Sequence, residues 1–257
     1  MRTVWLQQMK GSDSDMNKDR VRKVAITFFL LFLGFGIIYA SLALFSEISE
    51  SVVNENIRVI DDAIVHFLMY FSSPFLQDAL TLITEMGSVW FTAIVSFLII
   101  LYLWFRGRDR WGILFYLIAM GGGGLLILLL KEFFRIERPS INEAIDAVGY
   151  SFPSGHAMGS MILYGFITYL VVRSALKKKA KILLSVALMF LASLVAVSRV
   201  YLSAHYPSDV VAGQAGGLAW LMICIILLEG MQWKSRSGFM PAKGFRKLLD
   251  GVSGLFS

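Results

Sequence analysis

Uncharged, strongly apolar stretches recur along the chain at 24–46, 86–105, 111–130, 157–172, 182–198 and 210–228. A helix needs roughly 20 residues to cross the hydrocarbon core of a bilayer, with about 17 as the lower end of the range. Four of the stretches meet this length easily and 182–198 just reaches it. The 157–172 stretch is shorter, but Ser154, Gly155 and His156 can form its first turn while Arg173 reaches out to the headgroups. The pattern predicts an all-α, polytopic membrane protein with six transmembrane helices. The first stretch is too long for a signal-peptide core and lacks a clear small-residue cleavage site, so it reads as a retained anchor.

Between the first and second stretches, residues 61–80 read DDAIVHFLMYFSSPFLQDAL. They are apolar, edged with aspartates and broken by Pro74, which predicts a short helical segment at the interface rather than a span. The tail FRKLLDGVSGLF is a weaker candidate for the same behaviour on the opposite face. The run Gly121–Gly124 falls inside the third predicted helix and points to close helix packing.

Composition agrees with a bilayer. Of 257 residues 57% are hydrophobic and only 16% charged, against about 25% charged in a soluble domain. The lone Cys224 lies inside an apolar run, so it excludes an intrachain disulfide or cysteine zinc site and reads as a small buried hydrophobe. The net charge of +6 would suit nucleic acid if it were clustered on one face, but it follows the loops instead. With the N-terminus inside, all but Arg58, Lys131, Arg135, Arg138 and Arg199 of the 24 lysines and arginines fall on the inner side. The surplus is therefore an orientation signal whose partner is anionic headgroups, and nucleic acid is not needed to explain it. The expected organisation is a cytoplasmic N-terminal segment at 1–23, a six-helix membrane domain at 24–230 and a basic cytoplasmic tail at 231–257. The expected location is the plasma membrane, with the functional site on the extracytoplasmic face.

Three of the outer basic residues recur in the segments that also hold the unusual polar residues. These segments are KEFFRIERPS, with Lys131, Arg138 and Pro139; FPSGH at 152–156; and SRVYLSAHYPSD, with Ser198, Arg199, His205 and Asp209. All fall at outer ends of predicted helices and can meet at one depth. Three cations, two of them arginines suited to bidentate contact, fit a phosphate. Pro153 suits a first helical turn, leaving the N–H groups of Ser154, Gly155 and His156 free beside a glycine that permits close approach. The fourth and sixth helices would both aim positive dipole ends at the site. Pro207 reads as the entry to the sixth helix. Asp209 beside His205 is the arrangement of an activated nucleophile, and His156 can protonate a departing oxygen. No acidic cluster is available to hold magnesium, so the expected chemistry is phosphoryl transfer through a phosphohistidine, without metal or cofactor.

The same residues carry a resemblance. Lys131-x6-Arg138-Pro139, Pro153-Ser154-Gly155-His156 and Ser198-Arg199-x5-His205-x3-Asp209 resemble, in order and spacing, the three motifs of the type 2 phosphatidic acid phosphatase family. The match covers about 131–209 directly. The resemblance implies a six-helix membrane enzyme with its site on the outer face, His205 as nucleophile, Asp209 as its partner and His156 as general acid. It assigns Lys131, Arg138, Ser154, Gly155 and Arg199 to the phosphate. It also implies a lipid phosphate or diphosphate as substrate: phosphatidylglycerophosphate, undecaprenyl diphosphate, phosphatidate or diacylglycerol diphosphate. The related vanadium haloperoxidases share the motifs but are soluble.

Simpler roles compete for each residue. Basic residues at helix ends often snorkel to headgroups, but three such residues stand against the orientation rule, each inside a motif. The third histidine, His66, is read as an interfacial side chain, and Arg135 and Glu137 as solvated. Two alternatives remain open: a lipid phosphotransferase using the same site, and a non-catalytic lipid-phosphate transporter. The oligomeric state is not legible.

Overall fold

The computed structural model describes residues 2–138 and 149–235, with side chains over 28–105, 108–138 and 149–232. Pro139 and the tail from 236 onward, both singled out above, lie outside the described residues. Every regular element among those described is a helix. Five are long and apolar enough to cross a membrane, at Phe28–Val53, Arg110–Phe134, Gly155–Arg173, Lys178–Tyr201 and Pro207–Gln232. A sixth crossing results if Pro74–Glu85 and Val89–Phe105, bent by 43°, form one broken span.

In chain order the helices are α1 (Arg2–Val53), α2 (Arg58–Tyr70), α3 (Pro74–Glu85), α4 (Val89–Gly107), α5 (Arg110–Leu117), α6 (Gly123–Phe134), α7 (Gly155–Arg173), α8 (Lys178–Tyr201) and α9 (Pro207–Ser235). A π-helical turn at Ile118–Gly122 joins α5 to α6. Side-chain caps fix several starts. Ser73, Ser88 and Asp109 accept from Leu76, Phe91 and Gly112 N–H groups at 3.3, 3.3 and 2.8 Å, satisfying donors that the helix itself leaves unpaired. Pro74, expected to break the 61–80 segment, is the first residue of α3; its missing N–H costs nothing there.

The central helix is α7, which packs against both α8 and α9, while α1 packs along α9. Its Met158, Ile162, Leu163 and Phe166 are fully buried with Tyr116, Val195 and Leu221. Two of the four consecutive glycines explain themselves by contact. A Cβ on Gly122 would come within 2.6 Å of the Trp220 ring, and one on Gly123 within 2.5 Å of Ile162. Trp220 Nε1 donates to the Ala119 carbonyl at 3.0 Å, an acceptor in the π turn. Cys224 is buried, as its apolar run indicated.

A polar network ties the bundle together at the end away from FPSGH. Arg173 pairs with Glu229 at 2.6 Å and donates to Gln232 at 2.9 Å, while Gln232 donates to Asp109 at 2.9 Å. This joins α7, α9 and the α4–α5 turn. The opposite end, where α6 and α8 finish and α7 and α9 begin, is free to carry a different set of polar residues.

Candidate active site

Four helix ends and the loops between them bring the motif residues together. Lys131 comes from the last turn of α6, Arg138 from the loop after it, His156 from the first turn of α7, Arg199 from the last turn of α8 and Asp209 from the first turn of α9. His205 sits in the α8–α9 turn, its backbone N–H donating to the Arg199 carbonyl at 3.2 Å. Ser203 in that turn has φ of 56°, the left-handed bend that lets the chain reverse.

The three cations share one neighbourhood. Lys131 Nζ donates to the carbonyls of Tyr150 and Ser151, the latter at 3.5 Å. Arg138 donates to the carbonyls of Gly149 at 2.9 Å and Ala204 at 2.8 Å. Arg199 donates to Thr84 Oγ1 at 3.1 Å, while its buried Nε has no hydrogen-bond partner among the described residues. His156 lies within electrostatic range of Arg199, His205, Arg138 and Lys131. Among the described residues, no carboxylate lies at ion-pair distance from any of the three cations. Asp209 acts on Lys131 and Arg138, and Glu85 on Arg199, from beyond that distance, so the half-buried Lys131 and Arg138 and the buried Arg199 keep a surplus of positive charge that suits an anion.

The His205 ring is held at both nitrogens. Arg138 Nη1 donates to Nε2 at 3.2 Å. A guanidinium has no acceptor, so Nε2 carries the lone pair and the proton is on Nδ1. That Nδ1–H is shared between Asp209 Oδ2 at 3.3 Å and Ser151 Oγ at 3.2 Å. His205 is 1% exposed, and burial pushes its pKa down to about 4, helped by Arg138 and Lys131 and opposed by Asp209. Burial likewise pulls the Arg138 guanidinium below its usual range.

Asp209 lies beside His205 and bonds in two directions. Its Oδ2 accepts from the Tyr206 N–H at 3.0 Å as well as from His205, so one oxygen both caps α9 and orients the ring. Pro207 begins α9 as expected. Ser198 is buried, its hydroxyl donating to the Val195 carbonyl at 2.7 Å.

Two expectations are corrected. Pro153 is not in the first turn of α7: Ser154 is the N-cap, and Pro153 precedes it after a cis Phe152–Pro153 bond. The Ser154 N–H is not free, because it donates to the Asp209 carbonyl at 3.0 Å. Ser154 Oγ instead accepts from Ala157 N–H at 3.5 Å, leaving Gly155 and His156 as the α7 amides available to a ligand. One amide at the α9 N-terminus is also occupied. Buried Asp61 from α2 accepts from Ser208 N–H at 3.0 Å and from its hydroxyl at 2.5 Å, so that N–H is not open to a ligand. Burial pushes the Asp61 carboxyl up, and the two Ser208 bonds oppose that.

Sequence reasoning missed Asp61, Thr84 and Ser151. A buried aspartate in α2 and a threonine in the apolar α3 were visible as polar residues out of place, but nothing in the sequence named their partners. His66 is exposed, and Arg135 pairs on the surface with Glu132. Neither joins the site. No three His, Cys, Asp or Glu side chains among the described residues are grouped as a metal would require.

Fold and site together define a multi-pass membrane protein with a half-buried cationic cluster beside a buried histidine–aspartate pair. Residues 111–233 match the PAP2 superfamily. The chain is 33% identical over 197 residues to phosphatidylglycerophosphatase B of Bacillus subtilis (strain 168), covering 76% of this chain and 94% of that protein. It is also similar to the crystal structure of a transmembrane PAP2-type phosphatidylglycerolphosphate phosphatase from Bacillus subtilis. The TM-score is 0.69 at 28% identity, with 77% of this chain and 96% of that one covered. The chain therefore belongs to the PAP2 superfamily and is a membrane-integral lipid phosphatase of that family.

Proposed function

We propose that the protein hydrolyses a lipid phosphomonoester or diphosphate at the outer face of the membrane, through a phosphohistidine and without a metal. The observation that carries the reading is the cluster of Lys131, Arg138 and Arg199, with no carboxylate among the described residues at ion-pair distance, beside an imidazole whose Nε2 holds its lone pair. In this reading Lys131, Arg138, Arg199 and the Gly155 and His156 amides hold the phosphate oxygens. Entering phosphate replaces His205 Nε2 as the partner of Arg138. Nε2 attacks phosphorus, the Nε2–P bond forms as the P–O bond to the lipid breaks, and His156 donates its proton to the leaving oxygen. His156 then takes a proton from water, whose oxygen attacks phosphorus and releases phosphate from His205. Nδ1–H stays on the ring throughout, and Asp209 stabilises the imidazolium charge.

The substrate class follows from the relatives and from the bilayer. The name of the 33% identical relative favours phosphatidylglycerophosphate, with undecaprenyl diphosphate next and phosphatidate or diacylglycerol diphosphate behind. A membrane-facing groove of about 440 Å³ between α1, α7, α8 and α9, lined by Ala196 and Val210 among others, runs close beneath the site and suits a lipid tail. Purified protein presented with a panel of these lipids in detergent is expected to release phosphate with no added acceptor, and to do so in excess EDTA. Loss of activity on chelation, restored by magnesium, overturns the metal-free mechanism. Phosphate release only when an acceptor lipid or sugar is supplied overturns hydrolysis in favour of transfer.

The outer location is supported by the distribution of lysine and arginine, which also places segments 1–23 and 231–257 on the cytoplasmic side. A Ser140→Cys variant is expected to react with an impermeant thiol reagent on intact cells. Labelling that needs lysis reverses the orientation.

A further inference from the structure

We infer that Ser151, outside every motif residue named so far, is a positioning residue that bridges the nucleophile and its carboxylate. The inference rests on the reading of His205 as nucleophile given above. Ser151 is fully buried on the loop before α7 and is anchored there by its own N–H, which donates to the Ile136 carbonyl at 2.7 Å. Its carbonyl accepts from Lys131 at 3.5 Å. Its hydroxyl donates to Asp209 Oδ2 and lies 3.2 Å from His205 Nδ1.

The direction of each bond follows from the tautomer. With the proton on Nδ1, the ring is the donor on this side, so Ser151 Oγ accepts from it and passes its single O–H to the carboxylate. Asp209 Oδ2 thus receives Tyr206 N–H, Ser151 O–H and a long contact from His205 at 3.3 Å. The ring is nearer Ser151 than Asp209. The familiar histidine–aspartate pair is here a three-membered arrangement, in which the hydroxyl both orients the imidazole and tempers the carboxylate.

Removing the hydroxyl has a signed consequence. The charged groups acting on His205 are Asp209 from α9, Arg138 from the loop after α6 and Lys131 from α6, with His156 from α7 beyond them. On α8, Arg199 acts on Lys131 and His156 and interacts with Arg138 and with Glu85 of α3, and Asp61 on α2 interacts with Asp209. Ser151→Ala alters none of these charges. It strips a hydrogen bond from the Asp209 carboxylate, which then draws the imidazole proton more strongly and stabilises the charged ring. Protonation of His205 extends to higher pH, and the ring loses one of its two acceptors at Nδ1.

The test is a pair of variants, Ser151→Ala and Ser151→Thr, assayed for phosphate release from a lipid phosphate that the parent turns over. For Ser151→Ala, kcat is expected to fall about 10- to 100-fold, the scale of one hydrogen bond to a charged group, with KM and competitive inhibition by inorganic phosphate little changed. The acid limb of kcat/KM is expected to move to higher pH. Ser151→Thr, which keeps the hydroxyl, is expected to retain the parent's acid limb. Retained phosphate inhibition shows that the cationic pocket is folded. Parental kcat with an unmoved acid limb in Ser151→Ala overturns the proposal, as does a loss confined to KM or a loss of phosphate inhibition in both variants. A parent that releases phosphate from no lipid phosphate defeats the hydrolase reading instead.

Discussion

A His205→Ala variant is expected to lose at least about 10⁴-fold in kcat, the scale on which removal of a covalent nucleophile is felt, while remaining folded in detergent. The argument is geometric before it is electrostatic. Nε2 of His205 is the one ring nitrogen that accepts rather than donates, and it does so from Arg138, one of the three cations that would hold the phosphate. The ring cannot turn over to present Nδ1, because that edge is committed to Asp209 and Ser151. Alanine leaves the cations in place, so phosphate still binds but has nothing to bond to. Burial adds a condition on pH. With a pKa pushed down to about 4, His205 is neutral over the whole range above that, and protonation on the acid side removes the lone pair that attacks. The parent's kcat/KM should therefore hold steady towards low pH and fall only near the pKa of the free enzyme's base. The measurement is phosphate release at saturating lipid phosphate, with thermal unfolding as the check on folding. A variant that keeps more than about one hundredth of parental kcat places the nucleophile elsewhere, because general acid–base effects alone reach about 10²- to 10⁴-fold.

The fold was largely legible because a bilayer imposes a one-dimensional rule: uncharged runs of sufficient length become helices. The runs at 111–130, 182–198 and 210–228 each lie within a longer observed span. The span boundaries moved outward because polar residues at helix ends are capped or paired rather than excluded, as with Asp109 at the start of α5. What happens at 61–80 was legible only in part. Pro74 marked the break, but not that α3 would run beside α8 and bring Thr84 to Arg199. The candidate site was legible where its residues carry charge against the expected orientation. It was illegible where a group acts through a partner distant in sequence. Ser151 reads as one more loop serine, and its meaning appears only beside His205 and Asp209, more than fifty residues on. Asp61 likewise looks like a solvated helix start until Ser208 is found above it. Counting free amides from sequence fails for the same reason: a helix start is open only if no other segment caps it.

Gly213→Val is expected to cost at least about 100-fold in kcat, although the glycine touches no reacting atom. Gly213 and Gly217 form a small-xxx-small pair on α9, the spacing that lets two membrane helices approach at backbone distance. The approach is made on α7. A Cβ on Gly213 would stand 2.7 Å from the Ser154 carbonyl oxygen and 3.2 Å from Ala157 Cβ, and one on Gly217 2.8 Å from the Met158 carbonyl oxygen. These are mostly backbone atoms of a packed helix and cannot swing aside. A branched side chain must push α9 away from α7, at about 1–3 kcal/mol for overpacking. The displacement falls where it does most harm, since Gly213 lies one turn from Asp209 and faces the N-cap of α7. The bond from Ser154 N–H to the Asp209 carbonyl at 3.0 Å is the seam between the two halves of the site, with His156 on one side and His205 with Asp209 on the other. Opening it by even 1 Å is enough for about a 10²-fold loss in the proposed reaction, which needs acid and nucleophile on opposite sides of one phosphorus. Gly124→Ala provides the contrast, because a Cβ there meets nothing within 4 Å, and it should leave kcat unchanged. Phosphate release from one lipid phosphate, with unfolding temperatures in detergent, decides the matter. Gly213→Val at parental kcat would show that α7 and α9 do not hold the two histidines in register.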